Sequence, residues 1–230
     1  MKGVHIAVQA HVFYEDLINE VVNKTNNIPI KYDLYITTNS SEKSKFIEDY
    51  VKQYSNANKY EITIMKNKGR DMLPLLFQLK NKIRRYKYLC HIHTKKSNYT
   101  EFGEVWRQYL FENLLGNSER ILEILHIFEE NELMGFIYPE INRNNSLYLN
   151  FHLNRIFPKS RVGKDFKFPL GNMFWARVDA IYQAFSHKFV YMFNKNEAVE
   201  INITHHANEI IWLYFVKMNG YYFKTIFKSI

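Results

Sequence analysis

Through its first 93 residues the chain alternates short apolar, β-branched runs with longer stretches of helical spacing, and that alternation limits the fold more than any other feature. Residues 3–8 open the pattern, and residues 33–38 (DLYITT) and 60–65 repeat it, each reading as a strand. Between them, residues 16–24 set Leu17, Val21 and Val22 on one face, and residues 42–54 do the same with Phe46, Tyr50 and Val51. Both have the spacing of helices that bury one side. Residues 73–84 read as a third helix, with Pro74 in a first turn where proline is tolerated, and residues 86–93 read as a fourth strand. A βαβαβαβ order predicts an α/β fold with a mostly parallel sheet flanked by helices, whose ligands bind outside the carboxyl ends of the strands.

Beyond residue 100 the pattern changes. Residues 104–115 and 118–130 read as packing helices, the second capped by Ser118. Residues 134–139 suggest a strand, residues 142–167 a polar, irregular loop, and residues 168–177 a further strand. A last helix over 202–218 meets a stop at Asn219 and Gly220 before a strand over 221–227. With 230 residues and 47% hydrophobic content, and with no repeat or linker, a single domain is expected.

The 31 Lys and Arg outnumber the 23 Asp and Glu, leaving a formal charge of +8 that favours anionic partners. This charge is dispersed, with no basic tail or basic helix, so nucleic acid is not the expected partner. A lone cysteine, Cys90, excludes an internal disulfide and a cysteine-built zinc site, and fits a reducing cytoplasm. The segment MKGVHIAVQAH lacks the apolar stretch of a signal peptide, and the apolar run over 210–216 is too short to cross a bilayer. The expectation is a cytoplasmic protein, any membrane contact of which must be peripheral.

Four segments hold residues suited to chemistry. Asn67-Lys68-Gly69-Arg70-Asp71 lies between the third strand and its helix. There Gly69 permits a tight turn and Arg70 can fork onto a phosphate; Asp71 can cap the helix, bind a ribose hydroxyl or hold a metal. In His91-Ile92-His93-Thr94-Lys95-Lys96-Ser97, period-two alternation puts His91 and His93 on one side, with Lys95 and Lys96 beyond the strand to neutralise a diphosphate. The plain alternative is a pair of satisfied strand histidines and a solvated loop. In Phe168-Pro169-Leu170-Gly171-Asn172-Met173-Phe174-Trp175, Gly171 and Asn172 can shape a sugar pocket and Trp175 can offer a ring face, or the whole can begin a buried strand. In His205-His206-Ala207-Asn208-Glu209, His206 and Glu209 face the same way on a helix and can share a proton or a metal, and a single helix with a polar face explains the pattern about as well. A P-loop, a dinucleotide fingerprint, a nucleophile elbow and any Asp-x-Asp are absent from the sequence.

In succession VHIAVQAHVFYEDL, YDLYITTN, NKGRDMLPLL, YLCHIHTKKS, WRQYLFENLLG, MGFIYPE, FPLGNMFWAR and HHANEIIW resemble the rhamnan synthesis protein F family, across nearly the whole chain. The resemblance implies a single-domain, A-type glycosyltransferase-like fold, with residues 1–100 as a nucleotide-binding half and residues 101–230 as the acceptor side. The activity it implies is transfer of a sugar, such as rhamnose, from a nucleotide-sugar donor to a lipid-linked cell-surface polysaccharide or O-antigen glycan. On this reading Asn67, Gly69, Arg70, Asp71, His93, Lys95, Lys96, Gly171, Asn172 and Trp175 bind the donor, and Glu209, His206 or Asp71 supplies the base. Two departures from the family pattern bear on mechanism: Ile210 stands where arginine is expected, and no Asp-x-Asp follows the fourth strand. Either Asp71 and a histidine hold a divalent cation (Mg or Mn), or Arg70, Lys95 and Lys96 replace it, and the second is favoured. The same departures motivate an alternative, a non-catalytic glycan-binding or accessory protein of polysaccharide assembly.

Overall fold

A computed structural model describes residues 4–67, 69–94, 103–140, 168–186 and 203–227, and for residues 203–208 and 210 it describes the backbone alone. The predicted alternation is present as β1 Ile6–His11, α1 Ile18–Thr25, β2 Tyr32–Thr38, α2 Ser41–Tyr54, β3 Lys59–Ile64, α3 Met72–Leu79 and β4 Tyr88–His93. Two helices follow, α4 Gly103–Leu115 and α5 Ser118–Glu130, then β5 Met134–Pro139 and β6 Phe174–Arg177. The short α6 Val178–Ile181, α7 Ile203–Met218 and β7 Tyr222–Ile226 complete the described α-helices and strands.

All seven strands join one mixed sheet in the order β3-β2-β1-β4-β6-β5-β7. From β1 to β3 the chain moves outward in parallel steps, then returns past β1 to lay β4 on its other side. Strand β6 runs against both β4 and β5, while β5 and β7 are parallel. The fold is therefore α/β with a mostly parallel sheet. The reversal of direction between β1 and β4 is a topological switch point, where flanking loops diverge and open a crevice at the carboxyl ends of the strands.

Alternation along each strand divides the core. Ile6, Val8 and Ala10 of β1, with Tyr88, Cys90 and Ile92 of β4, pack under α1, α2, α4 and α5. Ala7, Leu89, Phe174 and Ala176 point to the opposite face, under α3, α6 and α7. Both clusters are built from buried aliphatic and aromatic side chains, and full burial of a Val, Leu, Ile or Phe among them stabilises the fold by about 2 kcal/mol.

Several boundaries differ from the sequence pattern, each for a physical reason. Strand β1 runs to His11, because Gln9 and His11 have ladder partners on both sides. The helix expected over 73–84 ends at Leu79, and a 3-10 turn over Ile83–Arg85 follows, which buries Ile83 while Arg84 and Arg85 stay exposed. Only Phe174–Arg177 of the strand expected over 168–177 is extended, since Gly171 and Asn172 take positive φ. The loop expected over 142–167 lies outside the described residues.

Helix α5 is capped one residue earlier than expected. The Asn117 side chain accepts from the Arg120 backbone N–H at 2.8 Å, while the Ser118 hydroxyl donates instead to the Asn27 carbonyl. Asn117→Ala removes that capping acceptor and is expected to lower unfolding stability by about 1 kcal/mol in urea titration. An unchanged midpoint would return the capping role to Ser118.

Candidate functional site

Strand register decides which polar side chains meet. On the face covered by α3 and α7, Thr37, His11 and His93 are lateral neighbours at the strand tips, and Tyr35, Gln9 and His91 form the next row inward. Neighbouring strands in register place such side chains about 5 Å apart, close enough for direct hydrogen bonds. His11 Nδ1 lies 2.9 Å from Thr37 Oγ1, and His91 Nδ1 lies 2.8 Å from Gln9 Oε1. The two β4 imidazoles stand on one side with ring centroids 6.3 Å apart. Thr94, just past β4, accepts from the Phe13 and Tyr14 N–H groups at 3.0 and 3.1 Å, which ties the segment after β1 to the tip of β4.

Two turns close over this row, and both use left-handed backbone. Gly69 and Arg70 have φ of 63° and 51°, and Gly171 and Asn172 have φ of 91° and 51°. Glycine is required at the first position of each pair: a Cβ on Gly69 would sit 2.4 Å from Leu73 Cβ, and one on Gly171 3.0 Å from Leu110 Cδ1. Arg70 and Asn172 each cost roughly 1 kcal/mol in this conformation, so surrounding contacts must hold them there.

Those contacts are present for Asn172. Its amide donates to Asp71 Oδ2 at 2.5 Å, and its carbonyl oxygen accepts from Trp212 Nε1 of α7 at 2.8 Å. Asp71 occupies the N-cap position of α3 without capping it; no hydrogen bond runs from its side chain to the helix. Its carboxylate reaches across the crevice instead, where Oδ2 lies 3.2 Å from His91 Nε2. On the opposite side, His93 Nε2 donates to the Gly171 carbonyl at 2.7 Å, and the Gly171 N–H donates to Glu209 Oε1 of α7 at 3.0 Å. Elements distant in sequence, α3, β4, the turn before β6, and α7, thus meet on one small patch.

Electrostatics follow from this enclosure. Burial alone would raise the Asp71 carboxyl, but the His93 and His91 imidazoles and the Asn172 amide outweigh it and hold the group well below the usual carboxylate range. Burial pushes His11 down to about 4, against the pull of Asp71, and the neighbouring His93 and His91 add to the lowering. His11 is therefore a neutral imidazole in the folded protein at pH 7.

Of the residues singled out from the sequence, Asp71, His93, Gly171, Asn172 and Glu209 converge here, and Gly69 and Arg70 form the turn beside them. Arg70, on that turn, and Asn67 are exposed. Trp175 does not join them: it points to the other sheet face, is completely buried, and donates through Nε1 to the Leu114 carbonyl. Its role is core packing. Lys95 and Lys96 lie outside the described residues, as does the side chain of His206.

Sequence reasoning missed Gln9, His11, Thr37, Gln78 and Trp212, which supply the floor of the crevice. A signal existed in VQAH, where Gln9 and His11 alternate with Val8 and Ala10. At the tip of β2, Thr38 Oγ1 and Asn39 Oδ1 are buried without a hydrogen-bond partner. Among the described residues no group of three or more His, Cys, Asp or Glu is arranged to hold a metal ion, and no helix is long and apolar enough to cross a membrane.

Comparison with known proteins adds a family. The chain matches rhamnan synthesis protein F over residues 1–221. It is also similar to the "Uncharacterized protein WxcX" of two Xanthomonas campestris pv. campestris strains, B100 and ATCC 33913, at 27% identity over 187 residues in each case. That similarity covers 76% of this chain but 26% of each relative, so the chain spans about a quarter of the length of the curated relatives it matches.

The depressed His11 value sets an acid sensitivity. Unfolding restores the ordinary imidazole value of 6.5, so the unfolded chain takes up a proton that the folded one resists. The stability present above that value is lost as pH falls toward 4. Comparing urea midpoints at pH 7 and pH 4.5, His11→Gln is expected to lose about 2 kcal/mol less than the wild type. Equal losses would remove His11 as the source.

Proposed function

The chain belongs to the rhamnan synthesis protein F family, and from that premise we propose that it is a glycosyltransferase moving a sugar from a nucleotide-sugar donor to a growing cell-surface polysaccharide. Family membership itself carries a part in polysaccharide synthesis. The observation that supports the finer reading is the convergence of Asp71, His93, Gly171, Asn172 and Glu209 at the switch point between β1 and β4. Crevices of this kind in α/β sheets are where nucleotides bind.

In the proposed arrangement residues 1–100 hold the nucleotide and residues 101–230 face the acceptor. Unpartnered polar atoms at Thr38 and Asn39 suit a base or a ribose, which brings donors and acceptors of its own. Arg70, exposed on its left-handed turn, is the guanidinium that meets the diphosphate, with Lys95 and Lys96 following β4 in sequence. Fixed cations stabilise charge that develops on a departing diphosphate, the work a divalent cation does in related chemistry. Glu209 is the proposed base for the acceptor hydroxyl, held by the Gly171 N–H, with His206 as its substitute one helical turn earlier. A lipid-linked acceptor at the cytoplasmic membrane surface suits the +8 charge, and rhamnose is the sugar the family description favours.

A melting-temperature screen against UDP-, dTDP- and GDP-sugars, each with and without Mg²⁺ or Mn²⁺, tests donor binding. At least one donor is expected to raise the melting temperature, and a flat result across the panel would end the glycosyltransferase reading. Glu209→Gln is then expected to keep the donor-induced rise while lowering kcat by about 10²- to 10⁴-fold. Undiminished transfer by that variant would remove Glu209 as the base.

A further inference from the structure

The buried groups beneath the crevice form one hydrogen-bond chain whose two ends are chemically unambiguous. At one end the Gln78 amide nitrogen lies 2.9 Å from the Ile36 backbone carbonyl, and a carbonyl only accepts. The Gln78 side chain must therefore present Oε1 to Gln9, 3.3 Å away. That contact requires the Gln9 amide nitrogen on the same side, where it also donates to Thr37 Oγ1 at 3.1 Å. Gln9 Oε1 is left facing His91 Nδ1 at 2.8 Å, so Nδ1 carries a proton.

At the other end the Trp212 indole N–H only donates, and it lies 2.8 Å from Asn172 Oδ1. Asn172 must therefore turn its amide nitrogen to Asp71 Oδ2. The same carboxylate oxygen lies 3.2 Å from His91 Nε2. Acceptors face His91 from both sides, and its ring has no exposed surface through which water could supply an alternative.

We infer that Gln78, which touches none of the proposed substrate groups, is a positioning residue that fixes His91 as a proton donor at both ring nitrogens and so holds Asp71 as a clamp between the two left-handed turns. The Asp71 carboxylate receives two donors at one oxygen and is spent on joining the Gly69-Arg70 turn to the Gly171-Asn172 turn. A proton placed on Asp71 instead would have to sit on the oxygen that already accepts from Asn172. The other titratable groups around His91 are His11 on β1, His93 on β4 and Glu209 on α7, and none of the contacts described for them supplies a donor to His91 Nδ1. Only the catalytic consequence rests on the proposed function: with Asp71 occupied, the acceptor's proton goes to the α7 side of the crevice.

The test counts imidazole protons. In long-range ¹H–¹⁵N spectra of the uniformly labelled full chain at neutral pH, His91 is assigned by the signals lost in His91→Gln. Two protonated ring nitrogens are expected in the wild type. Gln78→Met keeps the volume but removes the carbonyl that orients Gln9, which frees the Gln9 amide to turn and donate to Nδ1. The variant is expected to show one unprotonated ring nitrogen at His91. If it fails to fold by circular dichroism, Gln9→Met, which removes the acceptor itself, is expected to give the same pattern. An unprotonated nitrogen in the wild type overturns the inference, and so does an unchanged pair of protonated nitrogens in the folded variant. These spectra need no nucleotide, so a flat donor screen with the expected spectra would sink the glycosyltransferase reading and leave the clamp standing.

Discussion

Parallel pairing of β1 with β4, which sets Gln9 beside His91 and His11 beside His93, is the contact on which the crevice depends. Without it the chain would hold three consecutive strands and a detached fourth, and the polar ends of VQAH and HIH would be unrelated. Because the side-chain period of a strand is two, a one-residue slip in this pairing would turn every polar partner to the other sheet face. Apolar residues at the intervening positions make that slip expensive, since Val8, Ala10, Cys90 and Ile92 would leave a close-packed core. Hydrophobic burial on one face thus enforces polar contact on the other.

Above that floor, two strained turns hold each other in place. Left-handed backbone at Arg70 and Asn172 is unfavourable in isolation, but the Asn172 amide, the Asp71 carboxylate and the Trp212 indole form charge-assisted or neutral hydrogen bonds in an enclosure that shields them from water. Strain of this kind concentrates at sites that bind or react, because surrounding structure must over-determine it. Here the over-determination is visible atom by atom. Asp71 gives up the local task of capping α3 in favour of a contact 101 residues away in sequence.

Much of the fold was legible in the chain. Strand and helix types through residue 93, and the direction of most pairings, followed from apolar spacing alone, because burial on two sheet faces demands it. The likeness to rhamnan synthesis protein F was legible as well, carried by NKGRDMLPLL, HIHTKKS and GNMFWAR in succession, and it agrees with the match over residues 1–221. Ends of elements were harder. Nothing local distinguishes a polar strand tip such as His11 from the loop that follows, and only its ladder partners on β2 and β4 extend the strand.

Trp175 marks the limit. A strand over this segment places Met173 and Trp175 on one face and Phe174 and Ala176 on the other. The sequence by itself determined that His91 and His93 share a side and that Gly69 permits a tight turn. Which face lies under the crevice was decided only by tertiary structure, through the antiparallel seating of β6 between β4 and β5. The long-range contacts that join Asp71 to Asn172, His93 to Gly171 and Gly171 to Glu209 were decided in the same way. The physical reason is that periodicity reports how a segment divides between two environments, whereas the identity of a hydrogen-bond partner depends on which distant segment packing brings within about 3 Å.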